Sequence, residues 1–190
     1  MGQFINPTPM AAVTQTIRGV TGFVDSGTFT QTAVKTVNTT VTQTTLMNVT
    51  GAIGTKTIPA NYLSVGSRLK IKITGIIGTH TVIPTVTFRV LFAATDLGNV
   101  ALLPAAQIVN GYFELTANYT VATLGATGTM LGGFVWSYTV GGVSVVVSPN
   151  PSTYTIDTTA ASALDALITW SASHASNTIT TYSAFTEIVG

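Results

Sequence analysis

The most constraining feature of this sequence is the alternation of apolar and polar residues in short runs from Thr44 onward. In GYFELTANYTV (111–121), every second residue from Phe113 to Val121 is apolar or aromatic, and the residues between them are polar. Successive side chains of a β-strand point to opposite faces of the sheet, whereas a helix needs a period near 3.6. The pattern therefore predicts antiparallel strands that each have one covered face.

Gly, Pro, Asn and Ser separate ten such runs, as is typical of strands joined by turns. The predicted strands cover residues 44–50, 54–60, 67–76, 85–93, 111–121, 129–140, 143–148, 152–158, 163–172 and 178–189. Residues 160–168 also have helical spacing, but the alternation from Leu164 to Trp170 favours a strand there. We expect an all-β fold, an antiparallel β-sandwich that is jelly-roll-like and carries an extended N-terminal arm.

The composition predicts self-association. Only 7% of the residues are charged and 46% are hydrophobic, whereas charged residues usually make up about 25% of a soluble domain. The hydroxyls of 37 Thr and 12 Ser must cover surface that charges normally cover. Such a hydrophobic, uncharged chain is not intrinsically disordered, and its surface is poorly protected against association. We expect an oligomer of identical chains, with a homotrimer as the specific expectation.

Residues 1–43 differ from the remainder, which predicts two parts: an arm over 1–43 and a sandwich domain over 44–190. The segment TFTQTAVKTVNTTVTQTT (28–45) is rich in β-branched residues but poor in large apolar ones, so it cannot build a core of its own. We expect the arm to act as a tether that binds a partner by strand addition, and its deletion to leave 44–190 folded. No signal peptide is expected in Met1–Val20, and no apolar run reaches the length of a membrane span.

No residues are predicted for catalysis, cofactor binding or metal binding. The chain has no cysteine, and its two histidines, His80 and His174, are too few for a metal site of the histidine type. It has no G-x-S-x-G turn, its short glycine motifs lack the P-loop pattern, and its six acids are spread over separate strands or the arm. The sequence therefore predicts a protein that is not an enzyme and uses no cofactor.

The charges are polarised along the chain. All seven basic residues precede residue 90, and five of the six acidic residues follow residue 95. One interpretation is that the two halves interleave in one sandwich and pair their charges across strands. The other is that Arg68, Lys70 and Lys72, which alternate on one exposed face, contact a partner. Three spaced cations without an aromatic platform bind nucleic acid weakly, so neither nucleic acid nor a membrane is an expected partner.

Three segments resemble small virion proteins of tailed bacteriophages: IPANYLSVGSRLKIKITG (58–75), GYFELTANYTVATLGATGT (111–129) and SASHASNTITTYSAFTEI (171–188). The resemblance lies in the spacing of the strands and covers roughly residues 44–190. It implies a Thr-rich β-sandwich carried on a capsid or on head or tail fibres, commonly as a trimer with an N-terminal docking segment. It implies no active-site residues.

The leading hypothesis is a virion structural protein, a capsid decoration, cement or head-fibre component that docks on the major capsid protein or another virion protein. The alternative is the receptor-binding tip of a phage tail fibre that recognises a cell-surface glycan. An adhesin of a cell surface and a polysaccharide-degrading enzyme are further, less favoured hypotheses.

Overall fold

The chain is a sandwich of two antiparallel β-sheets. A computed structural model describes residues 28–190, and over that range the chain forms fourteen strands and no helix. The strands are β1 (Phe29–Thr30), β2 (Lys35–Asn38), β3 (Thr44–Thr45), β4 (Ile53–Gly54), β5 (Thr57–Ile58), β6 (Arg68–Gly78), β7 (Val86–Phe92), β8 (Thr95–Leu102), β9 (Gly111–Thr123), β10 (Gly128–Val140), β11 (Val143–Val147), β12 (Ser152–Ile156), β13 (Ser162–Trp170) and β14 (Thr178–Val189). The predicted fold class is confirmed. The described part of the chain contains no helix that could span a membrane.

Neighbouring strands within each sheet are mostly distant in the sequence. The larger sheet has the order β11-β10-β9-β6-β14-β1-β4, with β12 also beside β10 and β2 also beside β14. The smaller sheet has the order β3-β13-β7-β8, with β5 also beside β13. The chain therefore crosses repeatedly between the two sheets, as it does in jelly-roll sandwiches.

The core lies between the two inner faces and follows the predicted alternation. In β6, Leu69, Ile71 and Ile73 are fully buried, while Lys70 and Lys72 between them are half-buried on the outside. Five aromatic residues lie on the apolar side of the alternating runs, and all five are at most 2% exposed. These residues are Phe88, Phe113, Phe134, Trp136 and Trp170.

Aromatic rings join the two layers of the sandwich. The ring of Trp136 on β10 lies 3.9 Å from the ring of Phe88 on β7 and stacks on Tyr138 at 4.8 Å, measured between centroids. The indole nitrogens of Trp136 and Trp170 are buried and have no hydrogen-bond acceptor among the described residues. Both side chains therefore stabilise the fold through apolar contact area rather than through hydrogen bonds.

The strand predicted in place of a helix around Leu164 is confirmed as β13, but β8 was not predicted. Its sequence TDLGNVAL has Asp, Gly and Asn among its first five residues, and these residue types indicate a turn. The carboxylate of Asp96 does make a local contact of the kind found in turns, since it accepts a hydrogen bond of 2.9 Å from the N–H of Gly98. Pairing with β7 nevertheless draws the segment into the smaller sheet, with a register shift between Arg89 and Leu91 on β7.

Part of the predicted arm joins the larger sheet. Residues 1–27 lie outside the described residues, but β1 and β2 both pair with β14. Phe29 and Val37 are 1% and 3% exposed. The amide of Gln31 links two segments, since its Nε2 donates to the carbonyl of Thr181 and its Oε1 accepts from the N–H of Asn48, both at 2.9 Å. The boundary at residue 43 stays a prediction. The contacts of Phe29, Gln31 and Val37 indicate which truncations would test it.

Truncation of either core tryptophan should destabilise the protein strongly. Because Trp136 and Trp170 are at most 1% exposed, we expect Trp136→Ala or Trp170→Ala to lower the free energy of unfolding by about 3–5 kcal/mol. Val82→Ala is the control, since Val82 is 78% exposed and should change that free energy by less than about 0.5 kcal/mol. Urea denaturation measures both. A tryptophan variant that loses less than about 1 kcal/mol would contradict the burial of its ring.

Two truncations distinguish an arm that ends near residue 27 from one that ends at residue 43. Deletion of 1–27 removes no residue of the described sheets and should leave the thermal midpoint close to that of the full chain. Deletion of 1–43 also removes the buried side chains of Phe29 and Val37 and should lower the midpoint. Calorimetry of the two variants checks this. Equal midpoints for both would support the boundary at 43.

Candidate functional site

The outward residues of β6, β9 and β14 form a polar face on the larger sheet, which we call the outer polar face. The three strands lie side by side, with Lys70 opposite Glu187 on β14 and opposite Asn118 on β9. The face exists because most outward residues of these strands are Thr, Lys, Glu or other polar residues, although Ile76 and Phe185 also point outward, and most residues between them fill the core.

The structure places the three predicted partner-contact residues together on this face. Arg68 is exposed, and Lys70 and Lys72 follow it at intervals of two along β6. The ammonium of Lys70 lies 3.4 Å from Oε2 of Glu187, with the side chains 42% and 46% exposed. Arg68 lies opposite Val189 and Thr120 rather than opposite an acid. A role of these residues in binding a partner stays a prediction.

Glu114 is the centre of a hydrogen-bond network on the same face. Its Oε2 accepts a hydrogen bond of 3.1 Å from the hydroxyl of Tyr112 and lies 3.4 Å from the ammonium of Lys72. Its Oε1 accepts a hydrogen bond of 3.1 Å from Thr116. Burial acts to raise the pKa of Glu114, but the hydrogen bonds from Tyr112 and Thr116 and the charge of Lys72 together hold that pKa below its ordinary value.

The same network acts on Tyr112 in the opposite direction. Partial burial, with the hydrogen bond to the Glu114 carboxylate and the negative charge of that carboxylate, raises the pKa of the phenol above its ordinary value. Tyr112 therefore stays a neutral hydrogen-bond donor, and about half of its side chain remains exposed to solvent.

Most charges of the two halves of the described chain pair with each other in the fold. Four ion pairs each join a base from the first half of the chain to an acid from the second half: Lys56–Asp165, Lys70–Glu187, Lys72–Glu114 and Arg89–Asp96. These four pairs fit the first interpretation of the charge pattern, in which the two halves of the chain interleave in one sandwich and pair their charges. Three of them are about a third to a half exposed, so each contributes little to stability.

The two histidines, which are 94 positions apart, lie in contact. The rings of His80 and His174 have their centroids 3.6 Å apart at an interplanar angle of 34°. Each Nδ1 accepts a backbone hydrogen bond, from the N–H of Val82 at 3.1 Å and from that of Ser176 at 3.0 Å. The described residues contain no cluster of three or more His, Cys, Asp or Glu side chains that could hold a metal ion.

Sequence reasoning missed the histidine contact because it depends on the pairing of two distant strands. Gly78 at the end of β6 lies opposite Thr178 at the start of β14, so the loops that carry the two histidines must be neighbours. Asn177 joins these loops, since its Oδ1 accepts a 2.9 Å hydrogen bond from the N–H of His80. The contact between the two histidines can be predicted only when the register of β6 and β14 is known.

The Glu114 network should make stability depend on pH. Because its pKa is lowered in the folded state, Glu114 contributes stability above its ordinary pKa, and that contribution is lost as pH falls through the lower, folded-state value. We expect Glu114→Gln to reduce the difference in unfolding free energy between about pH 7 and about pH 3. Thr116→Val removes one hydrogen bond and should reduce the difference less. A Glu114→Gln variant with the full pH dependence of the wild type would contradict the network.

Comparisons with known proteins give one distant likeness. No protein family matches the chain, and no curated protein matches it. Among solved structures, the chain is similar to the CBM2 module of the evolved Dit of Lactobacillus casei BL23 phage J-1, with a TM-score of 0.31 and 12% sequence identity. The match covers 68% of this chain and 66% of that one, just under two thirds of its length.

Proposed function

We propose that this chain is a non-enzymatic structural protein of a bacteriophage virion, a capsid decoration, cement or head-fibre component that works as a homo-oligomer. The observation that carries the proposal is the low charge of its surface. Eight of the eleven charged residues among 28–190 are used in four ion pairs. Few charges are left to keep copies of the chain apart.

Exposed apolar side chains support the same proposal. Val109 is 73% exposed, and Leu103, Val143 and Val146 are each 64% exposed. Single exposed apolar residues are ordinary on a monomer, but here they occur on a surface with few charges. Contact with neighbouring chains would remove such apolar side chains from water and thereby stabilise the folded protein. A three-fold arrangement is the specific form that we propose for this assembly.

The assignment to a virion is supported by the resemblance of 58–75, 111–129 and 171–188 to small phage virion proteins. Docking on the major capsid protein or another virion protein would use the N-terminal arm by strand addition, through residues other than β1 and β2, which pair with β14 within the chain. Arg68, Lys70 and Lys72 on the outer polar face are the second candidate for the docking contact, and their ion pairs are exposed enough to exchange partners.

A second candidate function is the glycan-binding tip of a tail fibre. It is favoured by Tyr112, whose half-exposed ring lies beside the hydrogen-bonding groups of Glu114 and Thr116. An aromatic ring next to polar groups offers a sugar both an apolar contact and hydrogen bonds.

The location of the chain on purified particles tests the proposal and separates the two functions. Labelling of the native assembly should place copies at lattice points of the capsid or on head fibres, and sedimentation of the isolated protein should give a trimer or a pair of trimers. Label on tail tips alone would favour the glycan-binding function. A soluble, folded monomer at micromolar concentration would overturn the homo-oligomer, and a dimer would overturn only the three-fold arrangement.

A further inference from the structure

The strand β11 ends the larger sheet, and its outer edge has no strand partner among residues 28–190. It pairs on one side with β10, from Val143 opposite Val140 to Val147 opposite Trp136. No backbone hydrogen bond from another described segment reaches Ser144 or Val146. This edge is therefore one place where the larger sheet can accept a further strand.

The hairpin turn determines which backbone groups of β11 are free. Gly141 and Gly142 connect β10 to β11 and have φ angles of +56° and +81°, as a two-residue type I′ turn requires. In such a hairpin the flanking residues, Val140 and Val143, form a hydrogen-bonded pair, and hydrogen-bonded pairs alternate with non-hydrogen-bonded ones. Val143, Val145 and Val147 therefore bond to β10, and Ser144 and Val146 direct their N–H and C=O groups outward.

This edge lacks the features that usually prevent edge pairing. Exposed edges are normally protected by charged side chains, proline or a bulge. β11 has the sequence VSVVV and pairs with β10 without a register shift. The range 140–151 contains no charged residue, and its two prolines follow β11 rather than interrupt it. Val143 and Val146 are both 64% exposed.

We propose that β11 pairs with β11 of a second copy of this chain, antiparallel and around a two-fold axis at Val145. The inference rests on the proposed function only in assuming that the chain forms homo-oligomers. A second copy fits because the segment is complementary to itself: Ser144 of one chain meets Val146 of the other, and the reverse, as a two-fold contact requires. These two pairs would form four backbone hydrogen bonds, and no like charges would face each other.

The register fixes the distances between equivalent residues. The two copies of Val145 would face each other in a non-hydrogen-bonded pair, with Cβ atoms about 4.5–5.5 Å apart. The two copies of Val143 would be separated by four residues along the strands, about 13 Å. With the proposed three-fold arrangement, this contact would join two trimers into a hexamer; without it, the contact gives a dimer.

Disulfide trapping tests the register. Because the chain has no cysteine, an introduced thiol is the only one present. We expect Val145→Cys to form a disulfide-linked dimer under mild oxidation at micromolar concentration, since its Cβ spacing is near that of a disulfide. Val143→Cys is the control on the same strand, and Val82→Cys is the control on an exposed loop. Both controls should remain at least about tenfold less cross-linked than Val145→Cys, because their equivalent positions are too far apart.

A charged residue introduced at the edge of β11 tests the same contact without a covalent cross-link. Val146→Lys should raise the dissociation constant of self-association by about tenfold or more, since it brings two ammonium groups to a neutral contact. Val82→Lys, at a valine outside β11 that is 78% exposed, should leave that constant unchanged. Circular dichroism and the thermal midpoint confirm that each variant is folded.

The outcomes separate this contact from the proposed function. Cross-linked Val145→Cys together with weakened Val146→Lys supports the β11 contact. If the protein is an oligomer but Val145→Cys gives no cross-link, the β11 contact is wrong and the homo-oligomer stands. The same result is expected if another segment or another protein occupies the edge of β11. A monomer at all concentrations overturns both.

Discussion

The pairing of β14 with β6 is the interaction on which the rest of the structure depends. β14 also pairs with β1 and β2, so the last strand of the chain organises both its first described strands and the centre of the larger sheet. The two backbones approach so closely at Gly75 that a Cβ there would lie 2.0 Å from the carbonyl oxygen of Thr180. β14 shifts register just beyond this point, between Thr181 and Ser183. The contact closes a loop of more than a hundred residues, whose entropic cost is repaid by the buried inner face.

Several surface features follow from that register. It sets Lys70 opposite Glu187, and it brings His80 and His174 together by placing Gly78 opposite Thr178. The Glu114 network depends on the adjacent pairing of β6 with β9. The outer polar face is therefore built from residues that are far apart in sequence, and four of its five charged residues, all but Arg68, form ion pairs within the chain. The neutral character of the remaining surface, including the free edge of β11, is the physical basis of the proposed self-association.

The pattern of the sequence predicted much of the fold and little of the candidate site. Alternation correctly assigned the buried face of β6 and the strand around Leu164, because covering one face of a sheet imposes a period of two on any such strand. It missed β8, because Asp96 and Gly98 are residue types that indicate a turn, whereas in the structure pairing with β7 makes this segment a strand. The three basic residues on β6 were placed on one face correctly, but their acidic neighbours could not be identified, since cross-strand contacts require a register.

The sequence by itself determined the fold class, the inner and outer faces of the long strands, the burial of the two tryptophans and the scarcity of charge. Each of these is a local property of residue type and of the geometry of a single strand. Only the tertiary structure decided which strands are neighbours, where Phe29 and Val37 pack, which acid pairs with which base, and that the outer edge of β11 has no partner among the described residues. The physical reason is that many pairings of amphipathic strands bury similar apolar area, and the choice among them depends on the packing of both inner faces at once.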